Sequence, residues 1–146
     1  MEPVGIVAAA VIVAIAVAMV VSRRRPAPPT QPPFSAPAQL DRRDFDSPDS
    51  PWLLAVFTSA TCDSCAAVRD KAKVLASGDV AVQDIEVSAR KDLHDRYAID
   101  AVPTILLADR EGVVQATFIG PPSATDLWAA VAEAREGRKF GENTDR

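Results

Sequence analysis

The chain has 146 residues, 48% of them apolar, and a formal net charge of −4 at pH 7. That length allows about one domain. The acidic balance, with no glycine-rich phosphate loop, argues against nucleotide and nucleic-acid binding.

The first element is "VGIVAAAVIVAIAVAMVV" (Val4–Val21), which carries no charge. At about 1.5 Å per residue it reaches roughly 27 Å, near the hydrocarbon thickness of a bilayer. A soluble helix would show a polar face, and this one has none. It is predicted as one transmembrane helix over 4–22, after a flank at 1–3, with the lipid bilayer as its partner. A cleaved signal peptide carries positive charge ahead of its apolar stretch. Here Glu2 precedes the run and Arg23, Arg24 and Arg25 follow it, so an uncleaved anchor is expected. Basic flanks stay in the cytoplasm. This predicts a single-pass protein of the plasma (inner) membrane, with everything after Arg23 on the cytoplasmic side. Ala10, Ala14 and Ala18, at four-residue spacing, offer a weak small-residue seam for dimerisation.

Residues 23–50 change texture. "RRRPAPPTQPPFSAPAQ" is proline-rich and aperiodic, and reads as an extended, semi-rigid spacer. Leu40 and Phe45 stand near its end and are expected to dock as an irregular first strand or turn. The folded domain is placed at 51–137, and the polar segment 138–146 is read as a loose tail.

Within the domain, "WLLAVFT" (Trp52–Thr58) is a continuous apolar run, the pattern of a strand buried on both faces. Val68, Ala72 and Leu75 form a helical stripe, ended by Ser77-Gly78-Asp79. Val80–Val87 predicts a second strand, and Ser88–Ile99 a short helix with Leu93 and Tyr97 on one side. Thr104–Asp109 predicts a third strand, Arg110–Gly112 a tight turn, and Val113–Ile119 an antiparallel return. Ser123 is placed to cap a last helix whose Leu127, Val131 and Ala134 repeat at helical spacing. The order β-α-β-α-β-β-α gives an α/β sandwich, with parallel crossovers between the early strands and a hairpin after them. Trp52 and Trp128 are expected in the core.

The chain's two cysteines lie in "FTSATCDSC" (Phe57–Cys65). The two-residue spacing of Cys62 and Cys65 suits a redox dithiol, half a metal site, or neither. Zinc takes four protein ligands, or three and a water. With one histidine besides, His94 in a polar helical stretch, no metal site is expected, and His94 is read as solvated. With Thr61 or Ser59 as cap, Cys62 falls in the first helical turn. There, unpaired amides and the helix dipole favour a thiolate.

A CxxC where the first strand meets a helix, on this β/α order, resembles the thioredoxin family. "AVPT" (Ala101–Thr104) looks like that family's Val/Ile-Pro-Thr turn, and Gly120 follows the last strand where the family has a glycine. The resemblance covers about 85 residues. It implies a three-layer sandwich with a mixed central sheet, and a Pro103 that is cis and faces the cysteines. It implies that Cys62 attacks client disulfides and Cys65 resolves the mixed disulfide. It also implies that Val102 and Thr104 offer backbone hydrogen bonds to an extended client strand. No cofactor is expected; the partners implied are client proteins with disulfides or thiols, and a thiol electron donor.

The departures are specific. Thr61 replaces the family's tryptophan before the first cysteine, and Asp63-Ser64 replaces Gly-Pro. Asp63 opposes thiolate formation by like charge, while Ser64 donates a compensating hydrogen bond. The family's buried acid aligns with Val56. Asp84, on the next strand, is the candidate substitute acid/base, against the simpler reading as a strand-edge carboxylate. The expectation is a membrane-anchored thiol-disulfide oxidoreductase. Two alternatives stay open: an exported anchored reductase serving envelope proteins or cytochrome c maturation, and a redox-inactive tethered interaction domain.

Overall fold

The computed structural model describes residues 35–137. The predicted span, its alanine seam, most of the spacer and the tail 138–146 lie outside them. Among the described residues no helix is long and apolar enough to cross a membrane.

Four strands and three helices follow a short 3-10 turn at Arg42–Asp44. The strands are β1 (Trp52–Thr58), β2 (Val80–Glu86), β3 (Thr104–Ala108) and β4 (Val114–Ile119). The helices are α1 (Cys65–Lys73), α2 (Lys91–Arg96) and α3 (Ala124–Arg135). The sheet order is β2-β1-β3-β4. β1 runs parallel to β2, and β3 runs antiparallel to both β1 and β4. The sheet is therefore mixed, as the family resemblance implied. One expectation is corrected: only the β1-α1-β2 connection is a parallel crossover. The second helical connection crosses β1 and delivers β3 in the opposite direction.

β1 is buried from Leu53 to Thr58 because both of its faces are covered. Leu54 and Val56 point toward α1 and α3, where they meet Val68, Ala72, Leu127 and Val131. Leu53, Ala55 and Phe57 point the other way, against Leu93 of α2 and Tyr97 at its C-cap. Period-two alternation of a fully apolar strand thus supplies two cores from one segment. Ser123 caps α3 as expected, accepting from the amide of Asp126 at 3.0 Å. Gly112 closes the β3–β4 turn at φ +83°, and a Cβ there would sit 2.0 Å from the Leu40 carbonyl oxygen.

That contact belongs to a docked N-terminal segment. Leu40 and Phe45 are buried in the α2-side core, and Gln39 bridges to Val113. The packed unit thus reaches upstream of residue 51, into sequence that reads as spacer. Arg42 is buried as well, donating to the carbonyls of Asp109 (2.7 Å), Ser50 (3.0 Å) and Ser47 (3.3 Å).

Two side chains depart from expectation. His94 is buried rather than solvated: its Nε2 lies 2.9 Å from the Ile85 carbonyl, and its ring meets Phe57 edge-on. A carbonyl only accepts, so Nε2 carries the proton. Trp128 is 46% exposed, because the α3 stripe of Leu127 and Val131 faces the sheet and turns the next position outward. Trp52 is half-buried against the α1-side core.

Candidate active site

The chain between Thr58 and α1 folds into successive turns. The Cys62 amide donates to the Ser59 carbonyl, and the Cys65 amide to the Cys62 carbonyl, each at 3.2 Å. These turns bring the two cysteines to a Cα separation of 5.4 Å, and a disulfide joins them. Cys65 is buried and Cys62 only half so, so the more reachable sulfur belongs to the residue expected to attack. Thr61 and Asp63 are exposed beside it.

The helix start is corrected. α1 begins at Cys65, Ser64 stands at its N-cap, and Cys62 lies in the turn before it. Ser59 is engaged otherwise: its hydroxyl accepts from the Thr61 amide at 3.3 Å and lies 3.0 Å from the Thr61 hydroxyl. Ser64 makes no side-chain capping bond. Its hydroxyl lies 3.7 Å from the Cys62 sulfur. The first intrahelical bond runs from the Val68 amide to the Ser64 carbonyl.

The other predicted features fall into two groups. The Val102–Pro103 bond is cis, and Pro103 is buried. Thr104 closes this turn by donating its hydroxyl to the Ala101 carbonyl at 2.8 Å. Gly120, at φ +88°, donates its amide to the Pro103 carbonyl at 2.8 Å. The Val-Pro-Thr turn and the glycine after the last strand are one joined feature. The exposed Ile119 lies beside it, in register with Thr104.

Asp84 forms the second group. It stands on edge strand β2, in register with the buried Val56. The buried Thr58 donates its hydroxyl to one carboxylate oxygen at 2.6 Å, and Arg69 of α1 pairs with the other at 3.0 Å. Thr58 and Arg69 were not singled out from sequence, although Arg69 follows Cys65 at the i+4 spacing of one helix face.

Glu86 was missed too. Its carboxylate accepts from the Ala60 amide in the cysteine loop at 3.1 Å. It also accepts from the amides of Ser88 (2.9 Å) and Ala89 (3.2 Å), and from the Ser88 hydroxyl. That hydroxyl, followed by the amides, holds the carboxyl below its ordinary range. The available signal was period two along β2, which puts residue 86 on the face of residue 84. Among the described residues no group of three or more His, Cys, Asp or Glu side chains converges on a metal-sized site.

The thioredoxin family pattern matches residues 40–133. The chain belongs to the thioredoxin family. The match begins at Leu40, in keeping with the docked N-terminal segment. Among solved structures, a mutant thioredoxin from Halobacterium salinarum is similar at 26% identity and a TM-score of 0.51. That alignment covers 59% of this chain and 75% of that one. The germline-specific thioredoxin Deadhead of Drosophila melanogaster aligns at 22% identity and TM-score 0.54, over 62% of this chain and 88% of its own. A Fasciola hepatica thioredoxin shares the fold at 19% identity and TM-score 0.52, over 59% and 83%. No curated protein matches the chain. A thioredoxin domain carrying a Cys62–Cys65 disulfide supports thiol oxidoreduction in general.

Proposed function

We propose that this protein is a membrane-anchored thiol-disulfide oxidoreductase. It exchanges the Cys62–Cys65 pair with client proteins on the cytoplasmic side of the membrane. The observation that carries the reading is the disulfide itself, placed at the start of α1 with a half-buried Cys62 and a buried Cys65. The Cys62 thiolate attacks a client disulfide, forming a mixed disulfide and releasing one client thiolate. Cys65 then attacks the Cys62 sulfur, which frees the second client thiol and regenerates the internal disulfide. The client is reduced by two electrons and the pair is oxidised by two; a thiol donor restores it. The backbone of the Val102–Thr104 turn and the exposed Ile119 offer a rim for a client strand. The charge-free Val4–Val21 segment followed by three arginines supports the anchor and its orientation.

The test is mixed-disulfide trapping in cells. Cys65→Ser should accumulate thiol-sensitive adducts through Cys62, and the Cys62→Ser, Cys65→Ser double variant should accumulate none. Purified protein should show a reversible two-electron couple, below about −250 mV if it serves as a reductant. Absence of both a couple and adducts would leave a tethered binding domain.

A further inference from the structure

We propose that Glu86 is a positioning residue for the cysteine loop, fixing it in the geometry in which Cys62 and Cys65 can close their disulfide. The inference rests on the oxidoreductase reading and concerns the same site. β1 and β2 stay in register to their ends, Thr58 opposite Glu86, and the Val87 amide donates to the Thr58 carbonyl at 2.9 Å. Beyond that point the two chains diverge, one toward the cysteines and the other toward α2. The Glu86 carboxylate spans the divergence. One oxygen takes the Ala60 amide, two residues before Cys62; the other takes the amides of Ser88 and Ala89 and the Ser88 hydroxyl. The cysteine loop is thereby fastened to the β2–α2 loop.

The consequence differs between the two redox states. In the oxidised protein the disulfide itself ties the loop to α1. In the reduced protein that tie is gone, and the loop keeps its place through its turns and the Glu86 bridge. A loop released from Glu86 samples positions in which the sulfurs are apart, and must be reordered each time the disulfide forms. Glu86 therefore favours closure: the two cysteine thiols and one glutathione disulfide give the internal disulfide and two glutathione thiols. The protein loses two electrons, and its two protons pass to the released thiolates.

The experiment measures this exchange constant with glutathione for the full chain and for Glu86→Ala and Glu86→Gln, alongside thermal unfolding of both redox forms. The series is repeated at about 1 M salt. Glutamine presents one acceptor oxygen, so it holds one loop and not both; each variant should lower the exchange constant by about three- to tenfold. A tenfold change equals about 30 mV for a two-electron couple. The shift should persist at about 1 M salt, where exposed charges are screened within about 3 Å. Three results overturn the proposal. An unchanged constant with a lower unfolding temperature makes Glu86 a fold residue alone. A shift that vanishes in salt makes it a through-space charge effect. Equal shifts in a control variant, Asp92→Ala, whose carboxylate pairs with Arg90, make it a nonspecific surface effect. If the unaltered chain shows no couple, the oxidoreductase reading fails first and this one falls with it.

Discussion

The amide of Gly120 donates to the carbonyl of Pro103 at 2.8 Å, tying the end of β4 to the turn that precedes β3. Gly120 holds φ +88°, and a Cβ built there meets nothing within 4 Å. It is glycine for its conformation, not for space. Gly112 has the same sign of φ but no room, with the Leu40 carbonyl oxygen 2.0 Å from the added atom. Gly120→Ala should therefore cost about 1–2 kcal/mol, the price of a left-handed backbone on an L-residue. Gly112→Ala should cost a further ~1–3 kcal/mol, because the N-terminal segment must move. Urea unfolding of the two variants decides it, and equal losses would refute the steric distinction.

The extent of the folded unit was the least legible feature in the sequence. Leu40 and Phe45 stand out as apolar residues expected to dock, and they do, but no local period among the prolines and charges sets where the folded unit begins. Their burial follows from contacts far along the chain, such as the Leu40 amide to the Gly112 carbonyl at 2.8 Å. The two-sided β1, the Ser123 cap and the hairpin turn were legible because each is written in neighbouring residues. Trp128 was misread on size alone, although the spacing of Leu127 and Val131 already turned it outward. His94 sits one residue from Leu93 and three from Tyr97, at the edge of a stripe too short to announce itself. In the site, both cysteines and the Pro103 and Gly120 pair were readable. The Thr58, Arg69 and Asp84 cluster was not, since it exists only once β1 and β2 are in register.

A chain shortened to begin at Pro51 should be much less stable than one beginning at Ser35. The shortened chain loses Leu40 and Phe45, each worth about 1.5–3 kcal/mol of burial, and the Phe45 stack on Tyr97 at 5.8 Å between centroids. It also loses the Arg42 guanidinium that gathers three carbonyls. Domains of this size have about 5–15 kcal/mol in total. Partial unfolding at room temperature is expected, read as a lowered denaturation midpoint; equal midpoints would show that the segment merely leans on the domain.

Asp84 is expected to serve the fold and not proton transfer. One carboxylate oxygen takes the Thr58 hydroxyl and the other the Arg69 guanidinium, so both are engaged in joining β1 and α1 to β2. Asp84→Ala strands the buried Thr58 hydroxyl and should cost about 1–3 kcal/mol. Arg69→Met breaks a half-exposed pair and should cost at most about 1 kcal/mol. Stopped-flow resolution of a preformed mixed disulfide separates the roles. A general base for Cys65 would be worth about a hundredfold or more, whereas Asp84→Asn should slow the step by less than about tenfold.

Tyr97 gives the docked segment a pH limit that one chromophore can report, because it is the chain's single tyrosine. Burial raises its phenol above the ordinary value of 10.0, and the hydrogen bond it donates to Asp44 raises it further. Its oxygen also accepts the Asp41 amide at 3.0 Å, so the neutral phenol joins α2 to the 3-10 turn. A raised folded value means that the associated stability is complete below about pH 10. It is lost as pH rises through the folded value. At the other end, the Arg43 side chain holds Asp41 down to about 2. That half-buried carboxylate contributes above its ordinary value of 3.8 and stops contributing as pH falls through about 2. The segment should therefore stay docked between these limits and loosen in strong alkali. Phenolate absorbance should show a midpoint above 10 in the native protein and near 10 in denaturant. Asp44→Asn, which removes the charge beside the phenol, should bring the native midpoint down toward 10. A native midpoint at or below 10 would mean that Tyr97 is not held as described, and the segment would then owe its place to its other contacts, among them Leu40, Arg42, Phe45 and the backbone bonds of Ala38 and Leu40 to Val114 and Gly112.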